Sequence, residues 1–245
     1  SSDLYSLGYK IASLGLILSD SFKKAYDPFF FKKANDSDEN SKQTLVFTNN
    51  FYLYIILFMT FLIALYSKEL VIIMFDQRYY EAFIVIPLIS FSYFFDKMHG
   101  ITNLSYYQEK KTIIMMWITM FMATLNIALN YFLIPLYGEI GAAFATALTS
   151  VSMFILKYNI SKRFYFLEIY IVDIIVSILL FSIPILLFDF YNFLLNYGIL
   201  AIIISKTILL LLITAIIYVL IRRFRPEFYI FIKKVIFSRF FKIHY

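Results

Sequence analysis

The chain contains no cysteine, which excludes disulfides, thiolate catalysis and thiolate-ligated metal. Histidine is nearly absent: His99 and His244 are the only two, too few for a histidine-based metal site. No Gly-rich phosphate loop, HExxH pair or G-x-S-x-G elbow occurs. Charged residues make up 16% of the chain, against ~25% in an ordinary soluble domain. Hydrophobic residues fill the difference at 62%, and a soluble core cannot absorb them in runs this long.

Seven apolar runs cover roughly 4–26, 49–75, 82–105, 112–134, 140–157, 166–188 and 199–221. Most reach the ~20 residues a helix needs to cross ~30 Å of hydrocarbon. The expected fold is an all-α, polytopic helical membrane bundle of about seven spans. The first run is the weakest, broken by Lys10, Asp20, Lys23 and Lys24.

Basic residues sort between the gaps. Lys23, Lys24, Lys32, Lys33 and Lys42 occupy the first, and Lys110 and Lys111 the third. Lys157, Lys162 and Arg163 occupy the fifth, and Arg222, Arg223, Arg225, Lys233, Lys234, Arg239 and Lys242 the tail 222–245. The gaps between them are poor in Lys and Arg: 67–81 holds Lys68 and Arg78 against three acids, and 135–139 and 189–198 hold none. This alternation places the first gap and the C-terminus in the cytoplasm and Ser1 outside. The formal charge of +6 is therefore an orientation signal and not a nucleic-acid footprint. The segment 27–43 reads as a solvated cytoplasmic connector, and the tail as an interfacial helix on anionic lipid. The start Ser1-Ser2-Asp3 has no initiator Met or signal pattern and reads as the later part of a longer protein.

A charge near mid-bilayer costs about 2.5–3.5 kcal/mol, so each asks for a reason. At 100° per residue, Ser6, Lys10, Ser13, Asp20 and Lys24 share one face of the first helix. In the third span Ser92, Asp96, His99 and Asn103 share a face. These stripes point to a hydrated interior, and Lys10, Ser13, Asp20, Asp96, His99 and Asn103 are the candidate substrate or ion pathway. Lys97 falls off the Asp96 face, toward a neighbouring helix or a lipid headgroup. Thr119, Asn126 and Asn130 read as makers of interhelical hydrogen bonds. Lys24 and Lys206 read as snorkelling, and Asp173 as wetted at a span end. Pro135 stops a span, Pro87 and Pro184 are placed to kink helices, and Gly141 to Ala147 forms a small-residue packing face.

The stretch Leu125 to Thr146 carries Asn126, Asn130, Ile134-Pro135, Tyr137-Gly138, Gly141-Ala142-Ala143 and Ala145-Thr146. It resembles the N-x3-N-x3-IP-x-YG-x-x-GAA-x-AT signature of the O-antigen and capsule-repeat flippases, in the multidrug/oligosaccharidyl-lipid/polysaccharide superfamily. Weaker echoes are Tyr5-Ser6-Leu7-Gly8-Tyr9-Lys10, with Gly8 where the family has Ala, then Tyr80-Glu81-Ala82 before Ile86-Pro87-Leu88, and Gln108-Glu109-Lys110-Lys111-Thr112. The resemblance covers about residues 5–157.

It implies the second half of a MATE-like two-bundle transporter in the bacterial cytoplasmic membrane. Such a protein passes undecaprenyl-pyrophosphate-linked oligosaccharide across by alternating access, without cofactor or catalysis. Its partners would be the lipid-linked oligosaccharide, membrane lipids and other polysaccharide-assembly membrane proteins. Lys10 and His99 would face the pyrophosphate, and Asp96 would carry a coupling proton or pair with Lys10. Two alternatives stay open: a multidrug or lipid II exporter of the same superfamily, and a membrane-bound glycosyl- or acyltransferase. The short external gaps weigh against the transferase.

Overall fold

The computed structural model describes every residue except 1, 15, 37, 166, 188–198 and 241–245. The described residues are helical with no strand. They divide into a unit of residues 1–186 and a second of 187–245. The first holds α1 (Ser2–Ser13), α2 (Leu16–Ala34), α3 (Glu39–Leu65) and α4 (Ser67–Met74), followed by a 3-10 stretch (Gln77–Ile84). It continues with α5 (Ile86–Gln108), α6 (Thr112–Ser161) and α7 (Ile171–Leu186). The second holds α8 (Ile199–Phe224) and α9 (Pro226–Phe240). Of these, α3, α6 and α8 are long and apolar enough to cross a membrane.

The middle of the first unit is α5. Every residue from 86 to 106 is buried or half-buried, and α1, α2, α3, α6, α7 and the 3-10 stretch all pack on it. Such a helix is apolar around most of its circumference, which is the pattern of a core helix rather than an amphipathic one. One apolar cluster joins it to α1, α3 and the 3-10 stretch through Ile11, Ile63, Val85, Ile86, Ile89 and Tyr93. A second joins Leu104 to Tyr26 and Phe30 of α2 and Leu45 of α3. Pro87 lies in the first turn of α5, where its missing N–H is no loss; it starts this helix and does not kink it.

The first apolar run is not one helix. It breaks after Ser13 into α1 and α2, so the single face expected for Ser6, Lys10, Ser13, Asp20 and Lys24 does not form across the break. The expected 27–43 connector is also mostly helical. α2 continues to Ala34, supported by the Lys23–Asp27 pair one turn apart. α3 starts at Glu39, where the Asp38 carboxylate caps the N–H of Asn40 at 3.2 Å. Between them, buried Ser41 accepts from Lys33 Nζ at 3.1 Å and donates to Asp36 at 3.2 Å.

α6 is a hairpin. Its chain reverses at Gly138, whose φ of 56° and ψ of −130° lie in a region open only to glycine. The limbs 112–137 and 139–161 then run back to back. Asn126 Nδ2 reaches Thr149 Oγ1 at 3.1 Å, and Ile118 and Met122 pack with Met153, Leu156 and Ile160. At ~1.5 Å per residue each limb is long enough for ~30 Å of hydrocarbon. The runs 112–134 and 140–157 are thus two separate limbs. Pro135 lies inside the first limb just before the reversal. A Cβ on Gly141 would stand 2.3 Å from the Leu133 carbonyl oxygen, so the turn closes only over a bare backbone. The outer side of the first limb exposes Ile113, Trp117, Phe121, Ile127, Tyr131 and Leu136, an apolar face suited to lipid and not to water.

Two substitutions test this turn. Gly138→Ala is expected to lower stability by about 1–3 kcal/mol through backbone strain alone. Gly141→Ala should do at least as much, because the limbs must separate. Gly100→Ala, where an added Cβ meets nothing within 4 Å, should be neutral or raise stability by about 0.5–1 kcal/mol. Thermal unfolding of the detergent-solubilised protein would rank the three, and equal stability of the Gly138 and Gly100 variants would contradict the hairpin.

Candidate functional site

The charged residues of the third span lie on the most enclosed helix of the fold. Asp96, His99 and Asn103 follow one another at three- and four-residue spacing along one face of α5. His99 Nε2 is 3.4 Å from Asp96 Oδ1; the imidazole is 18% exposed and the carboxylate 39%. His99 Nδ1 is buried with no hydrogen-bond partner among the described residues. One turn further on, the Asn103 side-chain oxygen accepts from Lys157 Nζ at 3.0 Å.

Lys157 comes from the second limb of α6 and is only 3% exposed. Tyr106 donates its hydroxyl to the Lys157 carbonyl at 2.8 Å and packs edge-on against Phe164 at 5.0 Å. Off this face, Lys97 reaches Asp20 of α2 at 2.6 Å, which settles its direction: toward a neighbouring helix. Two acids, an imidazole, an amide and two ammonium groups thus ride on or against one central helix.

The other expected pathway residues are not drawn into this row. Lys10 is exposed on α1, and no hydrogen bond or ion pair engages its ammonium among the described residues. Asp96 lies against His99, and no Lys10–Asp96 pair forms among the described residues. Ser13 turns its hydroxyl onto the Lys10 carbonyl at 2.7 Å, a local helix-end bond. Asp20 enters the row only through Lys97. Among the uncharged stripe, Asn126 bonds across the hairpin, Asn130 donates to Asn126 at 3.0 Å and Thr119 bonds its own helix at Met115.

Sequence reasoning treated Lys157 as a boundary charge. A signal was present: Ala143, Ala147, Ser150, Phe154 and Lys157 recur at alternating four- and three-residue steps, so Lys157 continues the small-residue packing face. A second missed feature is Asn50, which is wholly buried on α3. Its amide donates to the Glu168 carbonyl at 3.1 Å and accepts from the Tyr170 N–H at 3.3 Å, pinning the strand of chain that leads into α7. Tyr158 adds to this by accepting the Ile169 N–H at 3.3 Å. In the same connection burial, with Glu109 nearby, pushes the Tyr165 hydroxyl up from its ordinary range. Asp173 is not wetted as expected: it is 4% exposed and accepts from the Tyr54 hydroxyl at 2.6 Å. Asn50 and Asp173 lie more than a hundred residues from their partners, so no local pattern could pair them.

No group of three or more His, Cys, Asp or Glu side chains is disposed to hold a metal among the described residues. No protein-family model, curated protein or solved structure matches the chain.

The two polar links to α5 differ in burial, and that difference decides their cost. Asn103→Leu removes an acceptor from an almost fully buried ammonium and is expected to cost about 1–3 kcal/mol. Asp20→Asn removes a carboxylate that is 60% exposed and should cost less than about 1 kcal/mol. Thermal unfolding of both variants at equal salt checks the order, and a larger loss for Asp20→Asn would contradict it.

Proposed function

We propose that this chain is the C-terminal bundle of a flippase that moves undecaprenyl-pyrophosphate-linked oligosaccharide across the bacterial cytoplasmic membrane. The observation that carries this reading is the row of titratable and polar groups on the most enclosed helix of a chain that is 62% hydrophobic. Charges cost several kcal/mol together in such surroundings and persist where they serve a pathway. The break between α1 and α2 supports the same reading, since interrupted helices at membrane depth line cavities in transporters. The residues that resemble the flippase signature lie at the α6 reversal and its packing face, so in this reading the motif builds the bundle and does not touch cargo.

In this reading the chain has seven spans arranged as one half of a MATE-like pair, with Ser1 outside and α9 in the cytoplasm. It acts as a carrier and not as an enzyme. Asp96 and His99 form the titratable pair that couples transport to an ion gradient. Lys10, whose ammonium is exposed, faces the pyrophosphate. Alternate opening to the two sides would repack α5 against α2 and α6, where the Lys97–Asp20 and Lys157–Asn103 contacts lie.

Complementation tests the cargo. The full-length protein, returned to a host lacking its own copy, is expected to restore surface polysaccharide and clear the accumulated lipid-linked intermediates. Joint replacement Lys10→Gln, Asp96→Asn, His99→Gln should cut display at least about tenfold at unchanged protein level, the size of one 1.4 kcal/mol interaction. Normal display in that triple variant sinks the assigned roles. Failure of intermediates to accumulate in the null host sinks the cargo, and rescue of drug efflux or of cell-wall growth instead would identify the other exporters.

A further inference from the structure

The second unit makes a corner that concentrates positive charge. α8 ends at Phe224, and α9 begins two residues later at Pro226. The turn is carried by backbone bonds from Arg225 to Ile221 at 2.9 Å and from Tyr229 to Arg225 at 2.9 Å. Across it, the hydroxyls of Tyr218 and Tyr229 lie 3.1 Å apart and their rings meet edge-on at 5.7 Å. Phe228, 1% exposed, anchors the inner side of α9. The tyrosine contact thus joins the two helices across the turn.

Each side of that contact carries a cation on the same helix face. Arg222 lies one turn on from Tyr218 along α8 and Lys233 one turn on from Tyr229 along α9, so each cation shares a helix face with one tyrosine of the pair. Arg223 and Lys234 are exposed beside them, and Arg223 lies over the Phe224 ring at 5.8 Å. Glu227, in the first turn of α9, is the acidic residue of this region. In a bond between two hydroxyls one proton is used, and the other hydroxyl keeps a proton to donate outward. Phe224 and Ile230 expose 70% and 63% of their surface, giving the corner an apolar part next to its charged part. Basic, aromatic and apolar groups at one level are the composition of a membrane interface.

We propose that the α8–α9 corner is a docking site for an anionic phospholipid, its phosphate held by Arg222 and Lys233 and hydrogen-bonded by the Tyr218–Tyr229 pair. Phe224 and Ile230 enter the acyl boundary beside it. A bilayer surface is the occupant favoured over a free anion, because the charged groups sit against exposed apolar ones that a soluble phosphate would leave in water. The site requires only that α8 spans the membrane and is independent of what the protein carries.

The test uses the full-length protein in nanodiscs of phosphatidylcholine with about one third phosphatidylglycerol, lipid retention after mild delipidation being read by native mass spectrometry. Phosphatidylglycerol should be retained in preference to phosphatidylcholine, and each of Arg222→Gln and Lys233→Gln should reduce that preference about fivefold. The pair Arg222→Lys with Lys233→Arg should keep it. With any cysteine outside this chain replaced by serine, Ile230→Cys carries a single environment-sensitive fluorophore, whose emission should shift to the blue when phosphatidylglycerol is present and not in phosphatidylcholine alone. Equal retention of the two lipids overturns the proposal. So does unchanged preference in the double glutamine variant, or full displacement of the lipid by millimolar inorganic phosphate. Size-exclusion profiles of the exposed-site variants report folding separately.

Discussion

A polar group enclosed by apolar helices has to find its partner within the chain, because neither lipid nor core can supply one. That constraint organises the first unit. α5 is buried or half-buried from residue 86 to 106 yet carries Asp96, Lys97, His99 and Asn103. Its neighbours are joined to it where those groups need company: α2 brings Asp20 to Lys97, and the second limb of α6 brings Lys157 to Asn103. Apolar contact alone would let helices slide along one another with little change in energy. A carboxylate or an amide at a fixed height does not, and so these links set register as well as proximity.

The same requirement runs through the backbone. The α6 reversal leaves no room for a side chain at Gly141 and holds Gly138 in a conformation that side chains rarely adopt, so the two limbs close over bare backbone at the turn. Close approach is what permits the Asn126–Thr149 bond, and it carries Lys157 back to the level of Asn103. The turn that resembles a flippase signature and the polar row that supports a transport reading are thus connected mechanically. In the proposed function the first is structural and the second is where ions and cargo act, and a fault in the turn would reach the row through the displaced limb.

Function in this reading depends on how polar contacts change between two arrangements. The links to α5 differ in kind. Lys97–Asp20 is half in solvent and can be exchanged for water at small cost, whereas the buried Lys157 ammonium cannot. Motion of α2 against α5 is accordingly easier than motion of the hairpin, which favours α1 and α2, already separated by a break, as the movable part. The α8–α9 corner, with its own tyrosine lock, belongs to the separate problem of seating the chain in its bilayer.

The sequence by itself determined helical class, the places where long apolar segments occur and the residues whose polarity is out of keeping with them. Those follow from local composition and from a 3.6-residue period, which need no knowledge of neighbours. It also marked Asp96, His99 and Asn103 as one face, Pro135 as the end of a span and Gly141 to Ala147 as a packing surface. Only the tertiary structure decided partners. It split the first run at α1 and α2, dissolving a stripe that held only for a continuous helix. It left Lys10 exposed, drew Lys157 from an apparent boundary into the core and turned Asp173 from solvent to Tyr54. The reason is physical: periodicity states which side of a helix a residue lies on, but what stands opposite depends on contacts closed over tens to more than a hundred residues, and these exist only after the helices have packed.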